Sequence, residues 1–415
     1  MDTAMKRILP VLCALVLVNL AVTLAAAQSD PAPSGDSPAA ETAQISGVLA
    51  GPRVAVFDTA KDSCELIDIP DAMARAFRDS RGTVHLVASH YKMRQSLGPT
   101  LESVKHSCDV VYNSAHDPDP ADYNDSTWLD SFYSIDGNEI VALGHMEYHG
   151  WEHPGECNTQ NYDACWYNAD TFHLSEDGGY HYESFPAPAN YIVGLPYKYV
   201  IDDGPEGYSV DTNIVKAGEY YYAMATDWPW PPGCERAGPL ECRVPYGASP
   251  IRSSNILDVT AWRGWNGTDF SVSFVDPYLD PVDLPGTHVY TPLDNMYYVN
   301  AINIYKSSSL FIATQWDGCC ASYGSKGLYL STSTDMVHWS RPKLVVTEGE
   351  LLKREPKPGK RWSYGYFSLI DPNSPDGNFS SIGDHPYLYY VRFDNDNPPY
   401  VRVLFRQEIA LTVNP

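Results

Sequence analysis

LDSFYSIDGNEIVALGHMEY, residues 129–148, reads as one strand, a tight turn at Asp136-Gly137-Asn138, and a second strand rich in Tyr, Val, Leu and Ala. The module recurs. Arg75 to His90 turns around Asp79-Ser80-Arg81-Gly82, Thr212 to Thr226 around Ala217-Gly218, and Ala301 to Gln315 around Lys306-Ser307-Ser308, while a further copy, Tyr366 to Phe393, has a longer connection. A third strand follows each pair. Repeats of about 40 to 70 residues built from strand hairpins are what a propeller blade looks like in sequence, because one twisted blade cannot bury both faces without neighbours. The expected fold is all-β: a five-bladed β-propeller, one domain with a central pocket. Velcro closure by the N-terminal strand is expected, with Arg53 to Asp58 pairing near Val401 to Leu411.

Composition agrees with this reading. The chain holds 30 Tyr and 10 Trp, which favour strands, and 33 Pro and 29 Gly, which supply turns. Its formal charge of −24 argues against a nucleic-acid partner, since that affinity comes mainly from neutralising phosphates with Lys and Arg. Residues 1–27 read as a signal peptide: Lys6-Arg7, an apolar run from Ile8 to Leu24, then Ala25-Ala26-Ala27 as a cleavage site. Residues 28–46, rich in Pro, Ala, Ser and acidic residues, read as a disordered linker, which leaves 47–415 for the propeller domain. A secreted or periplasmic monomer follows, with no membrane contact once the signal is removed.

Eight cysteines remain beyond the signal, and an even number in an exported chain suggests disulfides. The spacings invite Cys64–Cys108, Cys157–Cys165 and Cys234–Cys242; Cys319 and Cys320 would bridge each other or pair elsewhere. No CxxC pair supports zinc.

In a propeller each inner strand starts at the mouth of the pocket, and the second strand climbs back to it. Counting about seven residues back from each turn gives Arg75, Asp130, Asp211 or Asn213, Asn300 and Tyr366. The climbing strands end at His90, at the run Glu147-Tyr148-His149-Gly150-Trp151-Glu152-His153, at Asp227-Trp228, at Trp316-Asp317 and at Arg392-Phe393-Asp394. Carboxylates, imidazoles, guanidinia and indoles together are the inventory for a sugar: two acids for glycosidic cleavage, indole faces for the ring, polar groups for the hydroxyls. Asp130 and Glu147 share one hairpin and form the first catalytic pair; Asp211 is the third acid, as partner or as a charge tuning a neighbour. Arg75, His90, His149, Trp151, Asn213, Trp228, Asn300, Trp316, Tyr366 and Arg392 are the substrate-binding set. No cofactor or catalytic metal is expected. The histidines 145, 149 and 153 lack a metal spacing and read as hydrogen-bonding groups, and Asp371, Asp394 and Asp396 are a structural calcium candidate, with solvated acidic loops as the plainer reading.

Two turns carry a resemblance. Ser175-Glu176-Asp177-Gly178-Gly179-Tyr180-His181-Tyr182 fits the Asp box of sialidase blades, and Leu328 to Trp339, with Ser333-Thr334-Asp335, resembles the related turn of five-bladed glycosidases. Over residues 52–411 the chain resembles the arabinanase and invertase-like propeller glycosidases, and exported bacterial proteins of unassigned activity that share the run from Glu147 to His153. The resemblance implies a base Asp opening the first blade, a modulating Asp in the second and an acid Glu in the third. Here Arg75 occupies the first position, with Asp71 slightly upstream; Asp130 matches the second; no Glu is expected to open the third. The reading is a secreted glycoside hydrolase acting on extracellular poly- or oligosaccharide. The alternatives are a non-catalytic carbohydrate-binding propeller, or a sialidase-like enzyme using Arg75, Arg252 and Arg392 with Tyr366 as nucleophile.

Overall fold

The computed structural model describes residues 43–159, 161–210, 212–228, 247–279, 291–297, 299–306, 308–318, 323–355, 360–397 and 400–414. The signal and most of the linker, Asp211, and Cys234, Cys242, Cys319 and Cys320 lie outside these residues. The described chain is all-β, with short helical turns only between strands.

Antiparallel runs succeed one another at 75–106, 126–193, 206–272, 299–347 and 362–414. The second and third are joined into one sheet by a short parallel contact, Tyr167 and Asn168 opposite Glu206 and Gly207. Each run presents both faces to neighbours, which is why a strand such as Ile140–His149 carries apolar side chains on both. Ile140 and Ala142 join Phe77, Val87 and Phe132 between the first two runs, whereas Val141 and Leu143 join Ala223, Ala225 and Ile251 between the second and third. Met224, Ile302 and Phe311 connect the third to the fourth; Ile312, Leu330, Phe367 and Tyr390 connect the fourth to the fifth. A last cluster, with Ala76, Leu86, Ile370, Val391 and Leu404, packs the fifth run against the first.

The N-terminal segment is the outer edge of the fifth run. Val54–Asp58 pairs antiparallel with residues 403–406, and Gln44–Leu49 with 409–414. The first strand therefore begins at Gln44, inside the span expected as linker. Two expected disulfides are present, Cys64–Cys108 and Cys157–Cys165.

The turns are built as their sequences suggest. Asp136 Oδ1 accepts from the amides of Asn138 and Glu139, each at 2.8 Å, while Gly137 sits at φ +88° with a Cβ position only 2.5 Å from the Ser80 amide nitrogen. Neither conformation nor space admits a side chain there. In both Asp boxes the carboxylate accepts two turn amides: Tyr180 and His181 on Asp177, Val337 and His338 on Asp335.

Candidate active site

The last half of the strand Ile140–His149 alternates, so Met146 and Tyr148 enter the core while His145, Glu147 and His149 share the other face. Glu147 Oε2 takes a 2.8 Å hydrogen bond from His149 Nε2, and its Oε1 lies 3.5 Å from His145 Nε2. Burial pulls the His149 imidazole down, but the carboxylates of Glu147 and Glu152 outweigh it and raise the group to about 9. His149 is therefore an imidazolium at neutral pH. Its main chain is fixed by Asp125, whose Oδ2 accepts the His149 amide at 2.8 Å and meets His153 Nε2 at 3.0 Å. Across the hairpin Trp128, opposite His145 in register, puts its indole 6.3 Å from the His149 ring and 5.2 Å from His90.

His90 leads to a second carboxylate. Its Nε2 lies 3.3 Å from Asp71 Oδ2, while Asp71 Oδ1 accepts from the Arg402 guanidinium and, at 2.9 Å, from the Tyr366 hydroxyl. Burial would raise the Asp71 carboxyl; the Arg402 charge and these hydrogen bonds outweigh it and hold the group below the usual carboxylate range. Burial pulls His90 down to about 4 against the attraction of Asp71, so this imidazole is neutral at ordinary pH. Burial and the Asp71 charge push the Tyr366 phenol well above its usual value, which keeps its proton on the donor side. The charge of Glu147 also acts on both His90 and Tyr366. The two carboxylates thus face a common set of groups. Tyr366 holds φ +57° at an irregularity between Gly365 and Ser368, an uncommon conformation for a bulky residue and one associated with functional sites.

Several expected site residues lie elsewhere. Glu147 is opposite Ser126, whereas Asp130 comes four residues further along that strand, in a bulge between Leu129 and Ser131. At about 3.3 Å per residue that offset is roughly 13 Å along the strand, deeper than the Glu147 level. Arg75 is also deep and buried; it donates to the main-chain oxygens of Asp130 at 2.8 Å and Asn300 at 2.9 Å, bridging the inner strands of three runs. The Asn213 amide spans the Ile302 main chain, donating to its oxygen at 2.8 Å and accepting from its nitrogen at 3.0 Å. Trp316 is a core residue, stacked 4.2 Å from Phe367, and Arg392 is held by Glu355 at 2.5 Å over the Trp362 ring. Trp151 stacks on His149 at 4.3 Å and stays beside the cluster. Asp211 and the side chain of Trp228 lie outside the described residues.

The three arginines of the sialidase alternative occupy separate surroundings, since Arg252 is sandwiched between Tyr220 and Phe270. Of the calcium candidates, Asp394 pairs with Lys360 and accepts the Asp396 amide at 3.1 Å, Asp396 pairs with Arg361, and Asp371 accepts the amides of Asn373 and Gly383. His145 bonds Asn168 at 3.0 Å and His153 bonds Asp125, consistent with hydrogen-bonding roles.

A glutamate does open the third run, against expectation. Glu206 begins Glu206–Val210, is 2 % exposed, and has neither carboxyl oxygen hydrogen-bonded among the described residues. Burial, with Asp203 nearby, pushes its carboxyl well above the usual range. Its register partner is Tyr167, which points into the core, while the adjacent Asn168 points to His145; Glu206 thus lies on the sheet face away from Glu147.

Of the residues expected from the sequence, the structure brings Glu147, His149, His90 and Tyr366 together. Arg402, Trp128 and Asp125 carry no signal in the sequence, and Asp71 is signalled only as an acid slightly upstream of the first inner strand.

No protein-family model and no curated protein sequence matches the chain. Among solved structures it is similar to the catalytic domain of a GH62 α-L-arabinofuranosidase from Coprinopsis cinerea, at 10 % identity over 88 % of this chain and 97 % of that one, with a TM-score of 0.44. It is also similar to an α-L-arabinanase from Cellvibrio cellulosa complexed with arabinohexaose, at 11 % identity over 83 % and 92 %, TM-score 0.45. A family 117 glycoside hydrolase from Zobellia galactanivorans gives 9 % identity over 89 % and 90 %, TM-score 0.46.

Proposed function

We propose that the chain is an exported glycoside hydrolase built as a five-bladed propeller, cleaving a glycosidic bond between Asp71 and the Glu147–His149 pair. The observation that carries the reading is the pairing of an Arg-stabilised carboxylate with a carboxylate–imidazolium dyad around His90, Tyr366 and Trp128. The five antiparallel runs, packed in succession with the last against the first, support the blade count, and the N-terminal strands are the closing edge. Two disulfides fit an oxidising compartment.

Asp71, ionised and held by Arg402 and Tyr366, takes a proton from the water that attacks the anomeric carbon. The Glu147–His149 pair, with its proton on His149, gives that proton to the departing glycosidic oxygen as the C–O bond breaks. One water is consumed and two hydroxyl-bearing products form; Asp71 then returns its proton to solvent, from which the dyad regains one. Trp128, half-buried among histidine rings, offers the apolar surface on which a sugar ring sits.

The test is release of reducing sugar from plant, fungal, algal and bacterial polysaccharides by the mature chain and by Glu147→Gln. Turnover that the variant loses, with binding kept, supports the dyad; polysaccharide binding without turnover in the parent would leave a carbohydrate-binding propeller.

The dyad predicts a pH signature. His149 is charged until pH rises through about 9, so activity is expected to fall along an alkaline limb there. The same sign applies to stability: with its folded value above the unfolded one, the imidazolium stabilises fully below about 6.5 and that contribution is lost toward 9. Glu152→Gln removes one of the two anions that hold this proton, so the limb should move to lower pH while activity near pH 6 is kept. An unmoved limb would separate His149 from the reaction.

A further inference from the structure

At the other end of the third run lies a cavity of about 420 Å³, lined by Tyr220, Arg252, Ser254, Asp258, Arg263 and Phe270 among others. Its position is fixed by strand direction. Tyr220–Trp228 is antiparallel to Glu206–Val210, which is parallel to Trp166–Ser175, itself antiparallel to Ile140–His149. The strands Tyr220–Trp228 and Ile140–His149 therefore run the same way, and Tyr220 starts at the end opposite to that where Glu147 and His149 stand.

The cavity concentrates positive charge in a chain of formal charge −24. Arg252 is clamped between two rings, 4.1 Å from the Tyr220 centroid and 4.2 Å from that of Phe270. This contact fixes the guanidinium plane without using its N–H donors. Arg263 Nη1 donates only to main-chain oxygens, of Thr260 at 2.6 Å and Trp262 at 2.7 Å. Neither arginine is in an ion pair among the described residues, whereas Arg53, Arg81, Arg94, Arg361, Arg392 and Arg402 each face a carboxylate. The acid in the cavity wall, Asp258, turns one oxygen to its own loop: its Oδ1 accepts from the Thr260 amide at 2.9 Å and the Thr260 hydroxyl at 2.7 Å. A rigid, unneutralised guanidinium fork in a space of ligand size is matched by a planar carboxylate.

We propose that this cavity is a second binding site, remote from the reacting mouth, for the carboxylate of an acidic sugar unit, held by Arg252 and Arg263 with Ser254 as a hydroxyl partner. The saccharide body rests on the carbohydrate reading given above; the anion recognition rests on the cavity alone. Such a site would hold a uronate-bearing chain to the molecule while the opposite face works on its own segment.

Calorimetric titration of the full mature chain with trigalacturonate tests it. Binding is expected, weakened at least tenfold by Arg252→Gln and separately by Arg263→Gln, with thermal midpoints confirming that the variants are folded. Arg252→Lys keeps the charge but not the fork and should also weaken it. Methyl-esterified trigalacturonate should not bind, and inorganic sulfate should bind far more weakly. Unaltered affinity in both glutamine variants, equal affinity for the methyl ester, sulfate bound as tightly as the sugar, or no trigalacturonate binding would each overturn the site. Turnover of a neutral polysaccharide together with any of these results would leave the hydrolase reading standing and remove only this one.

Discussion

Asp71→Asn is expected to lower turnover by about 10²- to 10⁴-fold, the usual contribution of a positioned general base, with little change in substrate affinity. The substitution preserves shape and the hydrogen bond from Tyr366, and removes the negative charge that Arg402 neutralises. Leaving that buried guanidinium uncompensated has its own cost, of about 3–5 kcal/mol at most, so a drop in thermal midpoint is expected with the loss of rate. The two effects separate on one comparison. Arg402→Lys should destabilise the fold in a similar way while keeping a cation beside an ionised Asp71, and so should retain measurable turnover. Asp130→Asn is the contrasting variant: its carboxyl lies four residues below the Glu147 level, and its rate is expected to stay within about tenfold of the parent, less than removal of a general base brings about. Steady-state kinetics on the best substrate of the panel decides it. A rate lost in Asp130→Asn and kept in Asp71→Asn would move the base to Asp130 and sink this assignment.

The contrast between those two aspartates also measures what the sequence made legible. The repeating hairpins, the turn chemistry and the pairing of Val54–Asp58 with the last strand were readable, because alternation, Gly and Asx turns and strand order are local properties. Strand ends were readable too, which is why Glu147, His149 and His90 were found. Depth was not. Counting back a fixed number from each turn assumes equal inner strands, but Arg75–Arg78 spans four residues and Ser126–Ser134 nine, with a bulge at Asp130, so the count landed on buried residues below the Glu147 level. Asp71 and Trp128 sit nearer the mouth than the count allowed. Arg402 was hidden for another reason: it lies on a third strand, normally far from the axis, and only its long side chain reaches Asp71. Tyr366 was found by position, but its positive φ, which turns it toward Asp71, follows from a strand irregularity that no local pattern announces. Glu206 was missed because the third inner strand is split, Glu206–Val210 and then Val215–Ala217, so its start precedes the hairpin from which it was counted.

Removal of residues 43–58 is expected to abolish cooperative folding at 25 °C. The segment supplies both outer strands of the fifth run, and its side chains reach three places at once. Ile45 is buried in the cluster between the fourth and fifth runs, and Phe57 in the one between the fifth and the first. Arg53 is one of two guanidinia at 2.5 Å from the buried Glu355 carboxylate; the other is Arg392. Loss of a buried Ile or Phe costs about 2–5 kcal/mol each and loss of one member of a buried ion pair about 3–5 kcal/mol. Together these are on the order of 10 kcal/mol, against a total stability of roughly 5–15 kcal/mol for an ordinary domain. The exposed edge of the final strand, Arg402–Asn414, would also be left to pair with other chains, so aggregation should accompany unfolding. Thermal melts of the truncated and full chains by circular dichroism check this, and a synthetic peptide of residues 43–58 added in trans should restore part of the transition if the strand closes the ring. A truncated chain that melts cooperatively within a few degrees of the parent would mean that the ring is closed by the contacts between the first and fifth runs alone, with the N-terminal strands only covering its edge.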